Sequence, residues 1–273
     1  MANSSPPNFA HQDLRNRSFR GQNLSGADFS GADIRGCDFQ NAILIGANFT
    51  GVRAGQSRRQ IILLTTLAVA FGLFVGDPVS RLIFSSVDQT PGNRAWSFVV
   101  ILYAVLCLAG VAGALKAVLK SSLGKIAGIL SGILSGALLG FYYGGIFSEK
   151  NPQIAVAGAV TGALLAIVAS VYLKSKVLSI STSVAATVAA YGAAFLINAQ
   201  ASAFLSTQNF VWGIIFSLVS LLYIWFTLRC LSLVVREIRT GVGTSFRNAN
   251  LRNGNFDDAR LVNTDLTGTV GDF

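Results

Sequence analysis

The chain has 273 residues, of which 52% are hydrophobic and 12% charged, about half the charged share of a soluble domain, so a membrane-resident segment is expected. Three scattered cysteines, Cys37, Cys107 and Cys230, imply no disulfide framework, and the single histidine, His11, has no Cys or His at ligand spacing. The formal net charge of +9 is uneven: ionisable groups crowd residues 11–59 and 236–272, and elsewhere stand in small clusters between apolar runs.

Residues 1–60 are polar and contain no apolar h-region, so no secretory signal peptide is expected there, and neither end reads as a lipidation motif. Within them the stretch GQNLSGADFSGADIRGCDFQNAILIGANFTG, Gly21 to Gly51, places a large apolar residue at every fifth position. The full series runs Phe9, Leu14, Phe19, Leu24, Phe29, Ile34, Phe39, Leu44 and Phe49, with Ala54 next in register. A helix turns about 100° per residue, so a five-residue period drifts around it; a strand alternates faces, so an odd period flips the large residue in and out. A chain that turns once per repeat keeps every fifth residue pointing at one axis, which is the pattern of a solenoid.

Six apolar segments follow, predicted as helices at 61–78, 95–119, 123–147, 153–174, 177–200 and 210–236, together a transmembrane bundle over 59–236. The first is short. It either spans with Asp77 at the interface or continues past Pro78, kinked, toward Phe84. The third carries Gly124, Gly128, Gly132, Gly136, Gly140 and Gly144 on one face, and the fourth continues with Gly158 and Gly162. Small residues at four-residue spacing let helix backbones approach closely. A tight internal hairpin explains them; a pore-lining or oligomer-forming face is the alternative. Lys116 and Arg229 lie near helix ends, where snorkelling accounts for them. Asn198 and Gln200 read as interhelical hydrogen-bonding groups.

Lysine and arginine favour cytoplasmic loops. With the N-terminus inside, the inside connections hold Arg53, Arg58, Arg59, Lys116, Lys120, Lys125, Lys174, Lys176, Arg229, Arg236 and Arg239, against Arg81, Arg94 and Lys150 outside. Six spans with both termini cytoplasmic follow. The five-residue period then returns over 244–270, centred on Phe246, Leu251, Phe256, Leu261 and Leu266.

The units resemble the pentapeptide-repeat family, whose consensus is A(D/N)LXX. Ala27, Ala32, Cys37, Ala42 and Ala47 supply the small residue two before the centre, as Ala249 and Ala259 do at the far end, and Asp or Asn often stands one before it. Pro7, Gln12 and Arg17 depart from the small residue, and Ile43 and Arg260 from the Asp/Asn position. The resemblance implies a right-handed quadrilateral β-helix with four units per coil, cut into segments 7–55 and 244–270 by the bundle. Phe and Leu/Ile alternate through both segments, so one joined β-helix of about three and a half coils is expected rather than two caps. The fold class is therefore mixed: a six-helix transmembrane α bundle inserted into a cytoplasmic β-helix.

For function, the sequence offers no phosphate loop, no Ser/His/Asp set and no paired carboxylates within a span, so no enzyme, cofactor or metal is expected. Solenoids mostly act as binding surfaces. The expectation is a multi-pass membrane scaffold, assembly factor or accessory subunit that binds another membrane or membrane-associated protein complex on the cytoplasmic side. Because the family is abundant in cyanobacteria, the resemblance points to a plasma or thylakoid membrane and to the photosynthetic machinery. A glycine-zipper-lined channel or transporter capped by the β-helix, as a homo-oligomer, is the alternative. The lipid bilayer is a partner in either case. Nucleic acid is not: residues 1–59 carry seven Arg against four Asp, which is no DNA-like polyanion, and the net +9 is mostly the insertion code.

Overall fold

The computed structural model describes residues 6–87, 89, 92–93, 96–119, 121–149, 151–173 and 175–271; Arg94, Lys120, Lys150 and Lys174 of the charge pattern lie outside the described residues. The chain divides into two compact units, Met1–Thr65 with Ile238–Phe273, and Thr66–Glu237.

In the first unit each five-residue repeat closes a corner. The N–H three residues after a centre donates to that centre's carbonyl, as in Ala32 to Phe29 (3.0 Å), Cys37 to Ile34 (3.1 Å) and Ala42 to Phe39 (3.0 Å). The corner needs a residue with positive φ. Gly31 (φ 64°) and Asn41 (φ 59°) supply it, the two residue types that tolerate this conformation best. Where an acid or amide stands before the centre, its side chain shapes the corner. Asp28 accepts from Ser30 N–H (2.9 Å), Asp38 from Gln40 N–H (2.9 Å) and Asn48 from Thr50 N–H (3.1 Å). This Asx bond holds the outgoing chain at the angle the corner requires.

Residues twenty apart then pair in parallel. Asn8 pairs with Asp28 and Asp28 with Asn48; Asp13 with Asp33 and Asp33 with Arg53; Ser18 with Asp38; and Asn23 with Ile43. The pairing passes without a break into the C-terminal segment, through Asp38 to Ser245, Ile43 to Asn250 and Asn48 to Asn255. Four pieces are long enough to be strands, each of two residues: β1 (Arg53–Ala54), β2 (Thr244–Ser245), β3 (Arg260–Leu261) and β4 (Thr264–Asp265), with β1 parallel to β3 and β2 to β4.

Stacking at a twenty-residue interval puts like residues over like. Phe9, Phe29, Phe49 and Phe256 form one column at 4.9–5.0 Å, and Phe19, Phe39 and Phe246 a second at 5.0 Å. Rings of the two columns meet edge to face, Phe29 to Phe39 at 5.6 Å and Phe49 to Phe246 at 5.6 Å, the arrangement that aromatic quadrupoles prefer. Ala54 is buried in the place between Phe49 and Phe246. The C-terminal units therefore continue a count that includes Ala54, which pairs with Leu261 in β1 and β3.

The second unit is helical. The six helices are α1 (Arg58–Val87), α2 (Trp96–Val118), α3 (Ser122–Phe147), α4 (Pro152–Tyr172), α5 (Lys176–Ser206) and α6 (Phe210–Arg239), all long and apolar enough to cross a membrane. Of the two alternatives for the first segment the structure has the second: α1 runs on through Pro78 to Val87, past the predicted end at 78. Proline removes one helical hydrogen bond, and a helix held by neighbours tolerates that. Val75, Val79 and Ile83, one turn apart on both sides of Pro78, are all buried and hold α1 against its partners. Asp77 and Arg81 thereby become an i,i+4 pair on a continuous helix, 3.0 Å apart, rather than residues of a loop. α5 is the most enclosed helix and α4 the least. The α5 alanines Ala185, Ala186, Ala189, Ala190, Ala193 and Ala194 are buried. Hydroxyls bridge helices to main chain: Ser131 donates to Ala109 O (3.0 Å), Ser220 to Ala194 O (3.0 Å) and Tyr223 to Cys107 O (3.2 Å).

Candidate functional site

The repeat centres Leu24, Phe29, Ile34, Phe39, Leu44, Phe49, Phe246 and Leu251 lie at 0–4% exposure, with Phe19 at 6%; Phe256, Leu261 and Leu266, in the last coil, are partly buried against them. Because each centre points inward, the residues on either side of it point outward, and each ladder carries a distinct chemistry. One face carries Asp13, Asp33, Arg53 and Arg260 with Arg15 and Arg35. Arg15 grips Asp13 through two bonds (2.8 and 2.5 Å), and Arg35 grips Asp33 in the same way (2.8 and 2.6 Å). These guanidinium and main-chain bonds hold the Asp13 carboxyl down at about 2 and keep Asp33 below the usual carboxylate range. A second face is made by Asn8, Asp28, Asn48 and Asn255, and a third by Ser18, Asp38, Ser245 and Asp265. The fourth bears Asn23, Ile43, Asn250 and Val270 with Ser25, Ile45 and Arg252. Ile43 (41%), Ile45 (38%) and Val270 (45%) are exposed there, three aliphatic side chains on one polar-edged face.

The insertion point is closely tied. Thr244, fully buried, accepts a hydrogen bond from Gly55 N–H (2.9 Å) and donates to Ile34 O (2.8 Å). Gln56 donates to Ile238 O (2.9 Å), Gln60 to Gly243 O (3.2 Å) and Asn263 to Arg239 O (2.9 Å). Cys37 sits in the same core, its thiol donating to Leu14 O (3.0 Å) and pushed up to about 12 by burial. The bonds of Thr244, Gln56 and Gln60 are visible only when the two segments meet.

The predicted helix-packing glycines separate into two groups. A Cβ on Gly136 would meet Gly162 O (2.6 Å), one on Gly144 would meet Ile154 O (3.0 Å), and one on Gly140 would strike Gly158 O; from the other side, Gly158 and Gly162 face Gly140 O and Gly136 O. These five are the α3–α4 contact within one chain, with backbone against backbone. The other three serve different neighbours: Gly124 abuts Leu119 O, Gly128 the Lys116 side chain (2.9 Å) and Gly132 Thr182 (3.2 Å).

One cluster is not foreseen by the sequence pattern. Lys116, expected to snorkel outward, turns into the bundle instead. Its Nζ lies 3.2 Å from Glu237 Oε1 and within 2.8–3.2 Å of Ser179 O, Ser179 Oγ, Thr182 Oγ1 and Ser183 Oγ. Ser179 and Ser183 also donate to the Glu237 carboxylate (2.7 and 3.0 Å). The Lys116 and Glu237 side chains are only 16% and 12% exposed. A signal for the pair does exist in the chain: Glu237 is the only acid between Glu149 and Asp257, at the same end of the bundle as Lys116. A carboxylate one residue beyond the predicted end of a helix is easily assigned to solvent. Of the other polar groups noted, Gln200 donates to Tyr103 across α5 and α2 (3.1 Å), and Arg229 lies over the Trp225 ring at 4.9 Å.

Compared with known proteins, residues 13–51 and 242–269 match the model for pentapeptide repeats, in eight copies. The matched residues are the repeat-bearing ends, and the helical segment between them lies outside the match. No curated protein and no solved structure matches the chain.

Proposed function

We propose that the protein is a multi-pass membrane scaffold or accessory subunit whose two repeat segments form one right-handed quadrilateral β-helix on the cytoplasmic side, and that this β-helix docks another membrane protein complex. The observation that carries the reading is the fourth face, where Ile43, Ile45 and Val270 stand exposed among Asn23, Asn250 and Arg252 on a rigid ladder. Aliphatic groups inside a polar rim are the usual composition of a protein-binding patch. Pentapeptide repeats suggest protein–protein interaction, and six apolar helices hold the surface at a membrane. Both termini are cytoplasmic by the distribution of Lys and Arg. The membrane is a cyanobacterial plasma or thylakoid membrane, with a photosynthetic complex as one candidate partner. No catalytic role is assigned. The scaffold reading is preferred to the pore alternative because Gly136, Gly140, Gly144, Gly158 and Gly162 are in backbone contact with one another across α3 and α4 of one chain.

The test places a photo-crosslinking amino acid at Ile43 or Val270 in the full chain, irradiates native membranes and identifies the adducts by mass spectrometry. A single heterologous polypeptide captured from these positions, and not from Arg15 on the charged face, supports the proposal. Adducts only to a second copy of this chain overturn it and favour a homo-oligomer.

A further inference from the structure

We infer that the cluster of Lys116, Ser179, Thr182, Ser183 and Glu237 is a monovalent-cation site built from oxygen ligands, in which the Lys116 ammonium is the resident cation. The coordination carries this. An ammonium has three N–H donors, yet five oxygens surround Nζ within 3.2 Å: one main-chain carbonyl, three hydroxyls and one carboxylate oxygen. Four of the five lie at 3.1–3.2 Å, so the charge is shared among oxygens of four residues rather than given to three short hydrogen bonds.

The hydroxyl protons are committed elsewhere. Ser179 spends its proton on Glu237 Oε1, Ser183 on Glu237 Oε2 or Ser179 O, and Thr182 on Ser179 O (2.9 Å). Their lone pairs are left to face the cation. Carboxylate, carbonyl and hydroxyl oxygens are hard ligands that suit Na⁺ or K⁺, and a half-dry site between helices is where such ions are held in membrane proteins.

Charge decides the valence. The site has one carboxylate and one ammonium, so a monovalent ion replacing the ammonium leaves it neutral, whereas a divalent ion leaves an unpaired buried charge at large desolvation cost. The oxygens come from two helices and the cation from a third. Lys116 is on the last turn of α2, the hydroxyls on the first two turns of α5, and Glu237 at the end of α6. A cation here closes that end of the bundle.

The test uses the full chain in mild detergent with thermal unfolding measured in NaCl, KCl and choline chloride at equal ionic strength. Wild type, carrying its own cation, unfolds at one midpoint in all three salts. Lys116→Met unfolds lower in choline and recovers with Na⁺ or K⁺, its midpoint rising by about 3–6 °C per tenfold of the preferred ion above saturation. The double variant Lys116→Met/Glu237→Gln shows no such rise. Lys116→Met with equal midpoints in the three salts overturns the inference and leaves an ordinary structural ion pair, as does a rise that survives in the double variant. Should Lys116→Met yield no folded protein in any salt, Lys116→Gln, whose amide still donates to Glu237 but carries no charge, is judged by the same criterion.

Discussion

Truncating Phe246 tests the junction between the two repeat segments. The ring is fully buried, stacked 5.0 Å from Phe39 and edge-on to Phe49 at 5.6 Å, both of them in the other segment. Phe246→Ala loses the transfer energy of the ring and leaves a cavity among rigid neighbours, which together cost about 3–5 kcal/mol. The reporter is Cys37, buried one position before Asp38, which pairs with Ser245. Burial pushes its thiol up to about 12, so a water-soluble thiol reagent reacts with it only when the stack opens. At about 1.4 kcal/mol per decade, labelling of Cys37 should accelerate by between about 100-fold and a few thousand-fold. Peptide-level mass spectrometry separates Cys37 from Cys107 and Cys230. Phe246→Leu, which keeps most of the volume, should accelerate labelling by at most about tenfold. Labelling within twofold of wild type in Phe246→Ala would refute the reasoning, because the C-terminal segment would then contribute nothing to closing the N-terminal coils.

Three further outcomes follow from the same structure. Gly140→Leu forces a side chain onto Gly158 O and should abolish the folded α3–α4 hairpin, read as lost monodisperse yield in detergent, whereas Gly145→Ala meets only Ala155 Cβ at 3.6 Å and should behave as wild type. Thr244→Ala leaves the Gly55 N–H buried without an acceptor and should destabilise the repeat unit by about 1–3 kcal/mol, with Thr244→Ser recovering most of it; hydrogen exchange of the Ile34–Phe39 peptide reads both. The Asp33 carboxyl is held low, chiefly by its bond to Arg35, so its contribution is complete above the unfolded value near about 4 and lost as pH falls through the lower folded one. Exchange protection over residues 29–39, corrected for intrinsic rate, should therefore fall below about pH 4, and fall less steeply in Asp33→Asn.

Much of the architecture is local and legible in the chain. A period of five admits neither helix nor strand, so Phe29, Ile34 and Phe39 have to face one axis, and the aspartate before each centre does the corner work that its short side chain permits. The six apolar runs follow from length and hydropathy alone, because a bilayer imposes one dimension on every span. Tertiary structure decides what depends on partners distant in the chain. The five-residue register reaches Ala54, but its partner Leu261 lies beyond the whole helical segment and is found only in the folded chain. Pro78 is equally compatible with an ended and a continued helix; burial of Val75, Val79 and Ile83 selects continuation. Lys116 and Glu237 lie more than a hundred residues apart, and each read singly belongs at a wet helix end. Only the packing of α2, α5 and α6 turns them toward each other, because an ammonium enclosed by a carboxylate and hydroxyls needs no water to carry its charge.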